Sequence, residues 1–269
     1  MHHQIIKYPV KHPLLQKYIK FFWTFQVEYL QMNHAIIPQR NINLRFNLSD
    51  TPHYLYVNNK LQTLEKVYFS GLHNQFGNSF LTLSGNVNTF GICFYPQGFY
   101  PFVKIPISEF KNQMLGTSEL GCKVFNTIYQ NLVSVDNIQS RLEIAEQVLL
   151  KLIIANNTMP DNFCKLFNNI DSNNISNLGE KYGIGSRSLE RMFNKYVGVS
   201  ANTYFTLNRF HSSINRILQS DFSKLSDLAY NNGYFDQMHF IKDFKRFTGN
   251  TPKNFINQNN SILQIAKLS

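Results

Sequence analysis

Apolar side chains recur at helical spacing in the last third of the chain, and the whole pattern is present twice. One copy runs from Ile175 to Phe205 and the other from Leu225 to Phe255. The matched positions are Ile175, Leu178, Gly179 and Gly183 with Leu225, Leu228, Ala229 and Gly233, and then, after one inserted residue, Leu189, Arg191, Phe193, Lys195, Gly198, Ser200 and Tyr204 with Phe240, Lys242, Phe244, Arg246, Gly249, Thr251 and Phe255. Two copies are too few for a solenoid, so the repeat indicates a duplicated functional unit.

Each copy predicts two helices joined by a tight turn. A short apolar pattern is followed by a small residue, Gly179 or Ala229, which lets a second helix approach the first closely. Four residues later comes a glycine, Gly183 or Gly233, which is suited to the positive φ of an interhelical turn. The second segment of each copy is amphipathic, with its apolar positions at helical spacing.

The ends of the second helices carry capping signals. Asp236 is a good N-cap because its carboxylate can accept from the free backbone N–H groups of the first turn, whereas Gly185 in the first copy is a weaker start. Gly198 and Gly249 mark the two C-terminal ends. Helix, glycine turn and helix together predict a helix-turn-helix motif, whose second helix enters the DNA major groove.

The polar faces of the second helices carry the candidate chemistry. Arginine is the usual bidentate reader of guanine and glutamine can read adenine, while basic side chains toward the helix ends more naturally meet phosphates. A single such face is more often the solvated side of an amphipathic helix than a DNA contact. It is the recurrence of the scaffold and of the basic positions that favours DNA contact. The predicted DNA-binding residues are Arg187, Glu190, Arg191 and Lys195 in the first copy and Gln237, Met238, Ile241, Lys242, Lys245 and Arg246 in the second.

The strings G-S-R-S-L-E-R-M-F-N-K-Y-V-G and G-Y-F-D-Q-M-H-F-I-K-D-F-K-R-F-T-G-N-T-P-K-N-F resemble the DNA-binding domain of the AraC/XylS family of bacterial transcription regulators. The resemblance covers about the last 110 residues and implies two helix-turn-helix units joined by a linker helix, here Asn202 to Gln219. It implies recognition helices in successive major-groove segments, with promoter DNA and RNA polymerase as partners. Met238 stands where the family usually has a small polar residue and Gly185 where it has Ser or Thr, so the preferred DNA sequence does not transfer.

The N-terminal half has a different pattern of short β-rich stretches separated by turn signals. We expect an opening helix over roughly Pro13 to Phe22 and a longer helix with a broad apolar stripe over 136–155. Closely spaced short strands favour a small antiparallel barrel or sandwich. The predicted strands are Asn43–Leu48, Tyr54–Val57, Lys66–Phe69, Ser79–Leu83 and Thr89–Phe94, with a turn at Ser84-Gly85-Asn86.

This half resembles the cupin-like sensor domains found upstream of such DNA-binding domains, in particular one poorly characterised subgroup. The segments P-Q-R-N-I-N-L-R-F-N-L and G-I-C-F-Y-P-Q-G-F carry the likeness, although Pro38-Gln39-Arg40 replaces the acidic motif that is usual there. The stripe of the 136–155 helix either forms a homodimer interface or packs on its own barrel. The half is rich in aromatic residues, which either line a pocket for a small-molecule effector or fill the core: Phe21, Phe22, Trp23, Phe25, Phe94, Tyr95, Phe99, Tyr100 and Phe102.

The predicted architecture is α+β with two domains. Residues 1–157 form a cupin-like sensor or dimerisation domain, residues 158–260 an AraC-type DNA-binding domain with helix-turn-helix motifs at about 175–197 and 225–248, and residues 261–269 a tail. The N-terminal domain is an antiparallel β-barrel or sandwich with flanking helices. The C-terminal domain is all-α.

Charge and cysteines limit the classes of function. A net charge of +10 and an isoelectric point of about 9.4 favour a polyanionic partner. Cys93, Cys122 and Cys164 are too far apart for a metal motif, and the histidines lack the spacing of a cupin metal site. The sequence has no apolar run long enough to span a membrane, and its first residues lack the apolar core of a signal peptide. We therefore expect a cytoplasmic protein.

The sequence therefore predicts a sequence-specific transcription regulator with no catalytic, cofactor or metal site. Two alternatives stay open: an adaptor whose duplicated helices bind protein rather than DNA, and a cupin-type enzyme tethered to DNA by the C-terminal domain. The two recognition faces differ, so one chain should read an asymmetric site. The second copy has fewer groups that can bond bases and should discriminate less.

Overall fold

The computed structural model describes residues 5–77, 79–121, 123–156, 159–168, 178–219 and 221–257. The strands are β1 (Ile6–Tyr8), β2 (Ile19–Ala35), β3 (Ile42–Asn47), β4 (Tyr54–Val57), β5 (Lys60–Thr63), β6 (Val67–Ser70), β7 (Phe80–Phe94) and β8 (Met114–Gly116). The α-helices are α1 (Tyr100–Val103), α2 (Lys123–Val133), α3 (Ile138–Asn156), α4 (Asp161–Asn168), α5 (Ser186–Tyr196), α6 (Ala201–Leu218), α7 (Leu225–Asn231), α8 (Gln237–Thr248) and α9 (Pro252–Asn257). No helix in these ranges is both long enough and apolar enough to cross a membrane.

The strands form one antiparallel sheet in the order β1-β2-β7-β3-β6-β8, with the β4–β5 hairpin attached to β7. The α+β class and the all-α C-terminal part are confirmed, but the sheet is not closed into a barrel. In the described part of the chain the edge strands β1 and β8 do not pair with each other. The long β2 and β7 pair along most of their length and form the centre of the sheet.

The predicted opening helix is wrong. Leu15–Lys17 forms a single 3₁₀ turn, and the chain then enters β2 at Ile19. Short, nearly continuous apolar runs do not distinguish a helix from a buried strand, and here pairing with β7 decides for the strand.

The two strands predicted over 79–83 and 89–94 are parts of the single strand β7. The expected turn between them is a local irregularity, where the register with β2 shifts between Val27 and Leu30 opposite Gly85. Gly85 has a φ of +87°, which glycine tolerates and which suits a bulge. The turn signal therefore marked a bend within a strand rather than its end.

Both faces of the sheet are covered. One face holds a separate apolar cluster that includes Phe21, Trp23 and Phe25, together with the buried polar side chains Arg45 and His53. The other face belongs to a larger core that continues through α2, α3 and α4 into α5, α6 and α8. The sheet and the C-terminal helices thus share one continuous apolar core.

The aromatic residues of the N-terminal half divide between these environments. Trp23 and Phe25 line a cavity of only about 30 Å³, which is room for about one water molecule. Tyr95 lines a larger cleft described below. The remaining members of the predicted set are buried in the two cores.

The apolar stripe of α3 packs within the chain. Leu142, Ala145, Leu149 and Ile153 are buried, and the helix lies against α1 and α2. Ile154 stays exposed. The predicted domain boundary at residues 157 and 158 falls outside the described residues, as do the tail and Ile175 at the start of the first repeat.

Candidate nucleic-acid interface

The two predicted turns have the same backbone hydrogen bonds. In the first, the N–H of Ile184 donates to the carbonyl of Gly179 at 2.9 Å, and that of Gly183 donates to Glu180 at 3.1 Å. In the second, Tyr234 donates to Ala229 at 3.1 Å, and Gly233 donates to Tyr230 at 3.0 Å. The turn glycines have φ values of +65° and +74°. This is a helix C-cap in which a glycine in the left-handed region turns the chain. The N–H groups that follow the helix can then bond its last carbonyls.

The ends of the recognition helices α5 and α8 are also equivalent. Gly198 and Gly249 both have positive φ. The helices that follow begin at hydroxyl caps: Ser200 Oγ accepts from the N–H of Thr203 at 3.2 Å, and Thr251 Oγ1 accepts from that of Asn254 at 3.3 Å. The duplication therefore extends from the first turn to the helix after each recognition helix.

The starts of the recognition helices differ as the sequence predicts. The Asp236 carboxylate accepts from the N–H of His239 at 2.7 Å, and so caps α8. Gly185 begins α5 without a side-chain cap. A carboxylate cap is worth about 1 kcal/mol relative to Ala but only a few tenths of a kcal/mol relative to the Gly of the first copy.

The predicted polar face of α5 is open to solvent. Leu189, Phe193 and Tyr196 turn inward, whereas Arg187, Glu190 and Arg191 are exposed on one side. Neither guanidinium forms an ion pair with a carboxylate of the described residues, so Glu190 does not hold the arginines in place. Both arginines can offer their donors to an external acceptor.

Lys195 is placed differently from the other predicted residues. Its ammonium lies 5.4 Å from the ring centroid of Tyr100 in α1, and the Tyr100 and Tyr196 rings meet edge to face at 4.8 Å. A hydrogen bond to Tyr100 is the main reason why the pKa of Lys195 is raised above its ordinary value. This lysine therefore contacts the N-terminal half, at the end of α5.

Most of the predicted residues of α8 are exposed, namely Gln237, Met238, Lys242, Lys245 and Arg246. Ile241 is only partly exposed and packs against the core. The Arg246 guanidinium lies 4.3 Å from the ring centroid of Phe247. The backbone carbonyl of Arg246 accepts a hydrogen bond from the N–H of Phe76 at 3.0 Å. The end of α8, like that of α5, thus meets the N-terminal half.

Sequence reasoning missed an acidic residue on α8. Asp243 is 7% exposed, and its carboxylate lies 3.6 Å from both the His239 ring and the Arg246 guanidinium. It contacts one side chain a turn before it and one a turn after it, on the same face of α8. The sequence shows that Asp243 follows His239 by four residues and precedes Arg246 by three, a spacing that lets helix side chains interact. It does not show that Asp243 is buried.

An apolar patch at the second turn was also missed. Tyr230, Phe235 and Met238 are 72%, 85% and 72% exposed. Of these three residues, only Met238 belongs to the outward helix face that was predicted from the sequence to contact DNA. Exposed aromatic side chains beside a recognition helix can contact thymine methyl groups or a protein partner.

The linker helix is confirmed as α6. Leu207, Phe210, Ile214 and Ile217 of its predicted stripe are buried, and the side chain of Leu218 lies outside the described residues. Tyr204 near its start contacts Phe193 of α5 at 5.9 Å between ring centroids. Phe210 contacts Phe244 and Phe247 of α8 at 5.5 and 4.8 Å. One helix therefore supports both recognition helices.

Among the described residues, no three His, Cys, Asp or Glu side chains converge in a way that could hold a metal ion. Cys164 is a free thiol, and burial raises the pKa of Cys93 to about 12. Cys122 lies outside the described residues.

Family models match both parts of the chain. Residues 11–116 match a domain of unknown function, DUF6597, and residues 178–258 match a helix-turn-helix domain. No curated protein is significantly similar to the chain.

Solved structures give weak similarities. ToxT from Vibrio cholerae O395 is 14% identical, with a TM-score of 0.44 over 88% of this chain and 97% of that chain. Unsaturated fatty acid-bound ToxT from V. cholerae strain SCE256 is 12% identical, with a TM-score of 0.43 over 87% and 94%. The AraC-like transcriptional activator CuxR is 11% identical, with a TM-score of 0.29 over 77% and 78%.

The duplicated turns, the linker helix and the matched models together assign both parts: residues 178–258 are a helix-turn-helix domain of the type found in AraC-like transcription regulators, and residues 11–116 are a domain of the DUF6597 family.

Proposed function

We propose that this regulator binds double-stranded DNA in a sequence-specific manner, with α5 and α8 as recognition helices in successive major-groove segments. The observation that carries the proposal is the exposed, unpaired face of Arg187 and Arg191 on a helix held by the repeated turn. Each of these guanidinium groups can donate two hydrogen bonds to O6 and N7 of one guanine, and they lie one helical turn apart on the same face.

The second recognition helix supports a weaker contribution to specificity. Gln237 and Lys242 are exposed and can bond base edges, whereas Met238 offers only an apolar contact and Ile241 is partly taken up by the core. Lys245 and Arg246 lie one turn further on, where phosphates are the natural partners. The two helices present different groups, so the bound site is asymmetric.

The test is selection of bound duplexes from a random library by the full chain, followed by footprinting on the enriched sequence. We expect one discrete protected site of about two helical turns, with binding that weakens steeply as salt rises. An absence of enriched sequences, or retention of random DNA to the same extent, would sink the proposal.

The exposed side chains of Tyr230, Phe235 and Met238 favour a second candidate, an adaptor that binds protein through the second turn. Replacement of Phe235 by Ser separates the two. A DNA contact predicts weaker binding to the selected duplex, while an adaptor predicts unchanged DNA binding.

Signal sensing and dimerisation of the N-terminal domain stay proposals, as does contact with RNA polymerase. The stripe of α3 that favoured a dimer packs against α1 and α2, so the apolar surface that α3 leaves for an interface is at Ile154, which is not a stripe residue and is 68% exposed. The molar mass in solution, measured by light scattering for the native chain and for Ile154→Lys, tests that interface.

A further inference from the structure

A cleft of about 560 Å³ lies between the sheet and the C-terminal helices. This volume is in the range of small-molecule sites, about 300–1,000 Å³. Its walls come from both halves of the chain. The N-terminal side contributes Pro13, Gln16, Lys17, Lys20, Arg40, Asn41, Tyr95 and Gln97, and the C-terminal side contributes Phe167, Tyr204, Asn208 and Ser212.

All the charged side chains that line this cleft are positive, and it is called the basic cleft below. Lys17, Lys20 and Arg40 line it, and no lining residue in the described part of the chain is acidic. Burial, followed by the like charge of Arg40, lowers the pKa of Lys20 to about 8. Burial raises the pKa of Tyr204 on α6 and lowers that of His211, and in both cases the positive charge of Arg40 acts to lower the pKa. The positive potential therefore reaches across to the C-terminal wall.

The cleft is also lined by three buried amide side chains, each with one atom that lacks a partner, although the Asn208 side chain is also hydrogen-bonded to Tyr204. Asn41 and Gln97 are each 3% exposed and Asn208 is 8% exposed. Asn41 Nδ2, Gln97 Oε1 and Asn208 Oδ1 have no hydrogen-bond partner among the described residues. Leaving such groups unsatisfied costs stability, so a ligand that pairs with them gains more than in an apolar pocket.

We propose that the basic cleft binds a small, multiply charged anion that also carries hydroxyl groups, such as a phosphorylated sugar or a hydroxypolycarboxylate. The three cations select for at least two negative charges, since one negative charge leaves like charges unbalanced. The amides of Asn41, Gln97 and Asn208 pair with the hydroxyl groups. The aromatic wall of Tyr95, Phe167 and Tyr204 limits the length of the ligand.

Such a ligand contacts both halves of the chain at once. It binds the docked arrangement and not a separated one, so it stabilises docking by mass action. Its regulatory meaning rests on the proposed DNA-binding function, because the ends of α5 and α8 are held against the N-terminal half in this arrangement. Binding itself does not depend on that function.

The test measures thermal unfolding and calorimetric binding of the full chain with citrate, ribose 5-phosphate and inorganic phosphate, at ionic strength matched with chloride. Decanoate serves as a singly charged amphiphile. We expect saturable binding of citrate or ribose 5-phosphate with a rise in melting temperature, and little effect of decanoate. Whichever of the two hydroxylated anions binds more tightly distinguishes a phosphate from a carboxylate ligand.

Arg40→Gln and Lys20→Gln remove one cleft charge each, and Lys60→Gln on β5 is the matched control outside the cleft. We expect each cleft variant to weaken anion binding about tenfold or more, because each removes a charge-assisted bond, while the control binds normally. Without ligand, the cleft variants should melt at or above the native temperature since like-charge repulsion is relieved.

Three results overturn the proposal: no anion exceeds the chloride effect, the cleft variants respond like the native chain, or decanoate alone binds. The assay contains no DNA, so it can fail while DNA binding stands. Selection of DNA can likewise fail while the cleft binds its anion.

Discussion

Gly179 occupies a position where any side chain meets the backbone. A Cβ built there would lie 2.1 Å from the carbonyl oxygen of Ile184, which is far inside contact distance. The equivalent residue of the second turn, Ala229, is fully buried, so the backbone there accommodates a methyl group. The first turn, as it stands, does not.

We expect Gly179→Ala to lower the free energy of unfolding by about 1–3 kcal/mol, because the turn must open to admit the methyl group. Gly77→Ala is the matched control, since a Cβ at Gly77 meets only Ser79 Oγ, at an ordinary contact distance of 3.5 Å. Urea unfolding of both variants checks this. Equal stability of the two would show that the turn relaxes without cost.

Arg191 carries the sharpest prediction about specificity. Arg191→Ala should weaken binding to the selected duplex by roughly 1–3 kcal/mol and relax the base preference at one position. Lys151→Ala, an exposed basic residue on α3, is the control. Titration of selected and random duplexes decides the matter: an equal loss on both would assign Arg191 to a phosphate.

The helices and strands show which features the local sequence pattern is enough to predict. Residues with strictly local signals were predicted well: the turn glycines, the Asp236 cap and the stripe of α6 depend on neighbours within one or two turns. β2 was misassigned because its partner β7 lies far along the chain, and no local signal in Ile19 to Phe25 reveals it. The burial of Asp243 and the basic cleft likewise arise from contacts between distant segments.

Helix capping gives a paired prediction for the two copies. Asp236→Ala should destabilise the domain by about 1 kcal/mol, because it removes the acceptor for the N–H of His239. Gly185→Ser should have the opposite sign, since it adds the missing cap to α5. Thermal unfolding of the two single variants is the measurement. Destabilisation by Gly185→Ser would mean that Ser cannot adopt the geometry of this start.

Across the whole molecule, the two halves meet through buried polar groups as well as through apolar ones. His211 of α6 is 1% exposed and bonds the backbone of Pro38. Burial, together with Arg40 and Lys20, lowers its pKa to about 3. In the N-terminal half, burial also lowers the pKa values of His53 and His73 to about 4.

These histidines predict acid sensitivity. Between their ordinary pKa of 6.5 and the lowered values, the unfolded chain binds more protons than the folded one. Stability is therefore full above about pH 6.5 and falls as the pH drops toward 4. We expect His211→Gln to reduce the loss of unfolding free energy between about pH 7.5 and about pH 5, measured by urea unfolding at both values. An unchanged pH dependence would contradict the role of this ring.

The ends of the recognition helices have a consequence for how such a protein can evolve. Gly198 lies against Ile107, Gly249 lies against Phe76, and Lys195 contacts Tyr100, so the residues that finish each reading helix also form the seam between the two halves. A substitution selected for a new promoter at these positions alters the seam as well. Exchange of the N-terminal half for that of a relative would leave Lys195 and both glycines without their counterparts. New target sites should therefore arise through Arg187, Arg191 and Gln237, whose side chains lie clear of that seam.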